Sequence, residues 1–105
     1  MLIQVVTFRL KGITRDGYDA LCEQMAPAVV ALPGLISNVW LADESTNTYG
    51  GVYTWRDRSA LEAFLMTELF RALVTHANLV DLTSRVFGVL EAPTAITAVA
   101  RPVAA

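Results

Sequence analysis

Between Tyr49 and Phe64 the chain reads YGGVYTWRDRSALEAF, and its hydrophobic period changes there from two to about 3.6. Tyr49, Gly51, Tyr53 and Trp55 alternate with Gly50, Val52, Thr54 and Arg56, the mark of a strand with two unlike faces. Leu61, Phe64, Leu65 and Leu69 then recur at helical spacing, and Ser59 and Glu62 have the spacing of a capping box. A strand that passes so quickly into a helix must have that helix folded back over its own sheet. The two glycines stand where a strand should be strongest, since Gly costs entropy and packs nothing. Either Gly51 leaves a gap with aromatic walls for a flat ligand, or it admits a close neighbour or marks a bulge.

The remaining segments complete the order. LIQVVTFRL (2–10) is rich in β-branched and aromatic residues and reads as the first strand. Thr14 or Asp16 can cap a helix in which Leu21, Cys22, Met25, Ala28, Val29 and Leu32 form one apolar face. Pro27 should kink it, and Pro33–Gly34 ends it. LISNVWLAD (35–43) predicts the second strand, ESTNT (44–48) a turn, and Tyr49–Arg56 the third strand, paired as a hairpin. The helical segment 59–76 changes face near Thr67 and so divides in two. VDLTSRVFGVLE (80–91) is the fourth strand. The order β-α-β-β-α-β predicts an α+β, ferredoxin-like subunit with its helices on one face of a four-stranded antiparallel sheet. Residues 1–105 form one domain. Within it APTAITAVARPVAA (92–105), carrying Ile96 and Val99 and almost no charge, is expected as an extended arm on a neighbouring subunit rather than as a disordered end.

Composition says what covers the other face of the sheet. Of 105 residues, 54% are hydrophobic and only 17% charged, against about 25% charged in an ordinary soluble domain. A chain of this size buries only about 60–65% of its unfolded surface, so an isolated subunit is left with exposed apolar area. A homodimer with two sheets face to face removes it. The net charge of −2 and the scattering of eight basic residues exclude nucleic acid and anionic membranes as partners. Cys22 is the only cysteine, which suits a reducing cytosol. The uncharged run QMAPAVVALPGLISNVWLA (24–42) is broken by Pro27, Pro33 and Gly34 and so does not read as a membrane span. MLIQVVTFRL lacks the basic start of a signal peptide, and a cytoplasmic protein is expected.

Few residues suggest chemistry. One His and one Cys cannot make a usual zinc site, and Gly50–Gly51 lies within a strand rather than in a phosphate loop. No metal or cofactor is therefore expected. On the helical apolar face Cys22 reads as an inert buried thiol, while Glu23 and Glu62 read as solvated. Tyr49, Gly51, Tyr53 and Trp55 share a face of the third strand, and the second strand adds Asn38 and Trp40 on one common face. Arg85 in the fourth strand either needs a partner or a wet cavity, or is exposed on an edge. His76 either serves as a base near neutral pH or stands at a helix C-terminus that favours its charge.

Taken together, LPGLISNVWLADE, GGVYTWRDRSALEAFL and VFGVLEAPTAI, in this order along nearly the whole chain, resemble the monooxygenase-like proteins of the YdhR type. That family belongs to the dimeric α+β barrels, with the antibiotic-biosynthesis monooxygenases. The resemblance implies a dimer whose sheets meet, and oxygenation of an aromatic or polyketide-like small molecule by O2 without metal or flavin. It also implies a dry aromatic cavity with donors for an anion, for which Asn38, Trp40, Tyr53, Trp55 and Arg85 have suitable chemistry as catalytic candidates. Tyr49, Gly51 and His76 would line the substrate. A ligand-binding or interaction dimer, or a lyase or isomerase on the same scaffold, are the alternatives. Haem-degrading relatives use an Asn on the first strand and a Trp and His on the second helix. Here Gln4 and Thr7, Phe64, and a His76 a few residues late stand instead.

Overall fold

In the computed structural model, which describes residues 1–98, four strands and four helices alternate. The strands are β1 (Leu2–Leu10), β2 (Leu35–Asp43), β3 (Thr48–Trp55) and β4 (Leu79–Gly88). The helices are α1 (Arg15–Val30), α2 (Arg58–Leu65), α3 (Glu68–Thr75) and α4 (Glu91–Thr97). All neighbouring strands are antiparallel, in the order β2-β3-β1-β4. This is the ferredoxin-like α+β sheet that the sequence predicts, with β1 and β3 at its centre.

Register decides which side chains meet. Gln4 lies opposite Tyr53 and Val86, Val6 opposite Gly51 and Ser84, and Phe8 opposite Tyr49. Asn38 and Trp40 lie opposite Tyr53 and Gly51. Directly opposed residues project to one face, so these residues share the helix-covered face. There Val6, Phe8, Tyr49, Tyr53 and Trp55 pack with Tyr18 and Val29 of α1 and Leu61 and Phe64 of α2. The opposite face carries Val5, Thr7, Val39, Val52 and Phe87. Among the described residues no helix covers it, and Val39 and Phe87 are 58% and 44% exposed.

The helices start where side chains accept the free N–H groups of the first turn. The Thr14 hydroxyl accepts from the Gly17 N–H at 3.0 Å, and Thr67 starts α3 the same way. The α2 cap differs from the expectation. Asp57, in extended backbone, accepts from the Ala60 N–H at 2.9 Å, and Ser59 already lies inside the helix. That hydrogen bond holds the Asp57 carboxyl below the usual carboxylate range, with Arg56 helping. The break at Thr67 is where expected, between α2 and α3.

The C-terminal segment is the other correction. Residues 92–97 are helical, within α4, rather than extended. Most of α4 is exposed, with Ile96 at 75%. The rest of the expected arm, 99–105, lies outside the described residues.

The two glycines are places of close approach, not gaps. Gly50 has φ +152°, and a Cβ there would sit 1.8 Å from the Val6 carbonyl oxygen of β1. At Gly51 a Cβ would sit 2.9 Å from Asn38 Oδ1 and 3.3 Å from the Tyr53 ring. Of the two alternatives for Gly51, the close neighbour is what the structure shows: the Asn38 amide takes up the space between Tyr49 and Tyr53.

Candidate functional site

Period two on β3 and the 18-22-25-29 spacing on α1 aim aromatic and sulfur-bearing side chains at one another. They leave a cleft between the sheet and the helices. Phe8, Trp40 and Tyr53 form its sheet side, and Tyr18, Met25 and Val29 its α1 side. Phe64, Leu69 and Leu73 close it from α2 and α3. Its free volume is about 20 Å³, room for one molecule the size of water. On the far side of Trp40 and Val29 lies an open groove of about 240 Å³, between Ala26 and Val30 of α1 and Leu35 to Trp40 of β2. Trp40 and Val29 are therefore a shared wall.

The cleft is lined mainly by apolar side chains, and its titratable groups stay protonated. Burial raises the Tyr53 phenol to about 12. Burial also pushes up the Tyr18 phenol, with Cys22 adding to the shift, and the Cys22 thiol itself. At neutral pH the cleft thus offers phenol donors and no anionic base. Cys22, far from thiolate, fits the inert role read from its helical position.

The candidates divide by where they sit. Asn38, Trp40 and Tyr53 come together at the cleft and groove. Trp55 shares their face but is fully buried. Its ring stacks on Tyr53 at 5.9 Å, and its Nε1 donates to Gln4 Oε1 at 2.9 Å. Gln4 Nε2 in turn donates to the Ser84 hydroxyl at 3.0 Å. Trp55 is therefore a support behind Tyr53 and lines neither the cleft nor the groove. Tyr49 lies at the opposite end of β3, edge-on to Tyr18 at 5.1 Å and beneath the Arg15 guanidinium at 5.7 Å.

Two candidates are elsewhere. Arg85 lies opposite Val5, on the uncovered face, and its guanidinium stacks over Phe87 at 5.1 Å. One residue of register separates it from Ser84 and Val86, and that step sends it away from the cleft. It is exposed, the surface alternative for this residue. His76 follows α3, where its Nδ1 accepts the Asn78 N–H at 3.1 Å. It shapes the turn into β4 and does not line the cleft.

Sequence reasoning missed Gln4 as the partner of Trp55, and Tyr18 as a cavity wall. An isolated polar residue within the apolar alternation of β1 was the available signal for the first. A tyrosine four residues before Cys22 was the signal for the second. Among the described residues no three His, Cys, Asp or Glu side chains group as metal ligands, and no helix is long and apolar enough to span a membrane.

The same architecture recurs in solved structures. A putative antibiotic biosynthesis monooxygenase from Deinococcus radiodurans is similar at TM-score 0.72 and 20% identity, over 88% of this chain and 95% of that one. SnoaB, a cofactor-independent oxygenase from Streptomyces nogalater, is similar at TM-score 0.69 and 18% identity, over 86% and 93%. A protein of unknown function from Nitrosomonas europaea gives TM-score 0.74 at 19% identity, over 87% and 90%. At such identities these likenesses establish the fold alone, and no curated protein matches the chain. The sequence itself carries the assignment further. Residues 2–100, from the start of β1 to beyond α4, match the family described as "Putative mono-oxygenase ydhR", and the chain belongs to that family.

Proposed function

We propose that the protein is a cofactor-independent monooxygenase that oxidises a small aromatic or polyketide-like molecule with O2. The observation that carries this reading is the pair of hollows on either side of Trp40. The groove has room for a fused-ring substrate, and the apolar cleft behind Trp40 leaves a small space beside it. Membership of a mono-oxygenase family supports the reaction class.

The substrate supplies the electrons. Loss of a proton gives a delocalised anion, which passes one electron to O2. Superoxide and the substrate radical then combine as a peroxide. Loss of water leaves one oxygen atom on the substrate, so that SH2 + O2 gives SO + H2O. Tyr53, held protonated at the cleft, donates a hydrogen bond to the developing oxygen anion at the boundary between cleft and groove. With no anionic base in the cleft, the proton leaves to solvent through the open groove. Trp40 holds the ring plane against the cleft mouth.

Oxygen uptake with anthrone-type substrates tests the reading. Tyr53→Phe keeps the stacked ring and removes the donor, and should lower the rate constant by about 100-fold or more. Unchanged rates in Tyr53→Phe would remove Tyr53 from the mechanism. Product without oxygen uptake would indicate a lyase or isomerase, and binding without turnover a ligand-binding dimer.

The same reading includes a cytoplasmic homodimer. Its support is the uncovered apolar sheet face, with Val39 and Phe87 as exposed large residues beside Val5 and Val52. The exposed α4 would lie on the partner. Arg85 then belongs to the interface, spread on the Phe87 ring. Phe87→Glu should convert a two-subunit species into single subunits in sedimentation, and a wild-type protein that sediments as one subunit would refute the pairing.

A further inference from the structure

Asn38 has a feature that the oxygenase chemistry does not use. Its Nδ2 and Oδ1 are both occluded, and neither has a hydrogen-bond partner among the described residues. Buried amides in folded proteins are almost always paired, because leaving them unpaired forfeits their hydration. A leucine, with the same branching and the same number of side-chain heavy atoms, would avoid that cost. Gly51 is tied to the same amide, since a Cβ there would lie 2.9 Å from Asn38 Oδ1 in its present position. One unpaired donor and one unpaired acceptor thus lie occluded on a residue that lines the groove.

The groove defines the complementary group. Its walls are Ala26, Val29, Val30, Leu35, Ile36 and Trp40, with Ser37 and Asn38 as the polar members and no charged side chain. Its volume of about 240 Å³ is below the roughly 300–1,000 Å³ of sites for larger organic ligands. A neutral, flat molecule of about two fused rings suits that space. An amide is matched in both directions by a cis-amide edge. A hydroxy-ketone edge closes on itself by an internal hydrogen bond, whereas a lactam cannot.

We propose that the groove between α1 and β2 binds a neutral fused-ring lactam, which Asn38 recognises through a reciprocal pair of hydrogen bonds. Asn38 Nδ2 donates to the lactam carbonyl, and the lactam N–H donates to Asn38 Oδ1. To make this pair the occluded amide must turn toward the groove, a movement that breaks no hydrogen bond among the described residues. The inference deepens the oxygenase reading by naming a substrate class, and rests on that reading only for the chemistry after binding.

Calorimetric titration under nitrogen with 2-quinolone tests it, alongside N-methyl-2-quinolone, which lacks the donor. The unblocked lactam should bind and shift the Asn38 side-chain NH2 resonances. The N-methyl compound should bind about 10–100-fold more weakly, and Asn38→Leu should lose a similar factor for 2-quinolone. The two changes together should cost little more than either alone, because each removes the same pair. Failure of 2-quinolone to bind, equal binding of the N-methyl compound, or full affinity in Asn38→Leu each overturns the proposal. The two ligands on the wild-type protein decide the matter even if the variant does not fold. Oxygen uptake indifferent to Asn38→Leu would retain the oxygenase and remove this site. Lactam binding without any oxygen uptake would do the reverse.

Discussion

Gly50→Ala is expected to cost about 3–5 kcal/mol, a large share of the roughly 5–15 kcal/mol that holds a domain folded. The added methyl would lie 1.8 Å from the Val6 carbonyl oxygen, 2.8 Å from its carbon and 2.9 Å from the Thr7 Cα. All three atoms are backbone of β1, so no side-chain rotation relieves the clash. At φ +152° the residue is also in a conformation that only glycine adopts readily. Relief requires β1 and β3 to separate, and these are the two central strands of the sheet. Urea denaturation followed by circular dichroism measures the loss. A midpoint within error of wild type would show that the central pair can widen, and would remove the close approach as a constraint.

The second large effect is at Trp55. Trp55→Ala should cost about 3–5 kcal/mol through the cavity it leaves, because the indole is fully buried against Tyr53 and Phe64. It also strips Gln4 Oε1 of its donor, at about 1–3 kcal/mol. Trp55→Phe fills most of the space and removes only the hydrogen bond, so the difference between the two variants separates packing from pairing. Thermal unfolding should place Phe between wild type and Ala. If Phe and Ala melt together, the hydrogen bond to Gln4 dominates. If Ala melts with wild type, the core does not depend on this indole. On the proposed function, a loss of activity at Trp55 would report on the support behind Tyr53.

Legibility in the sequence tracked the range of the interactions. Element order and type came from local periodicity, and β1, β2 and the α2–α3 break were readable in that way. The Asp57 cap was missed because a capping-box spacing at Ser59 says nothing about where the preceding strand releases the chain. Arg85 was placed with the cleft residues because the face of a residue in β4 depends on pairing with β1, a contact between distant parts of the chain. The shared face of Asn38, Trp40 and Tyr53 was legible from alternation within one hairpin. What alternation could not show is that the space beside Gly51 is already taken by the Asn38 amide. Nor could it show that Trp55, of the right type and on the right face, spends its N–H on Gln4.

The two tryptophans also differ in what they can report by light. Trp55 is sealed from solvent and stacked on Tyr53, so its emission should be blue-shifted and indifferent to soluble quenchers. Trp40 is 37% exposed, on the wall between cleft and groove. Because the chain has only these two, collisional quenching by acrylamide isolates Trp40 without any label. The protein thus carries its own optical gauge of whether the groove is filled.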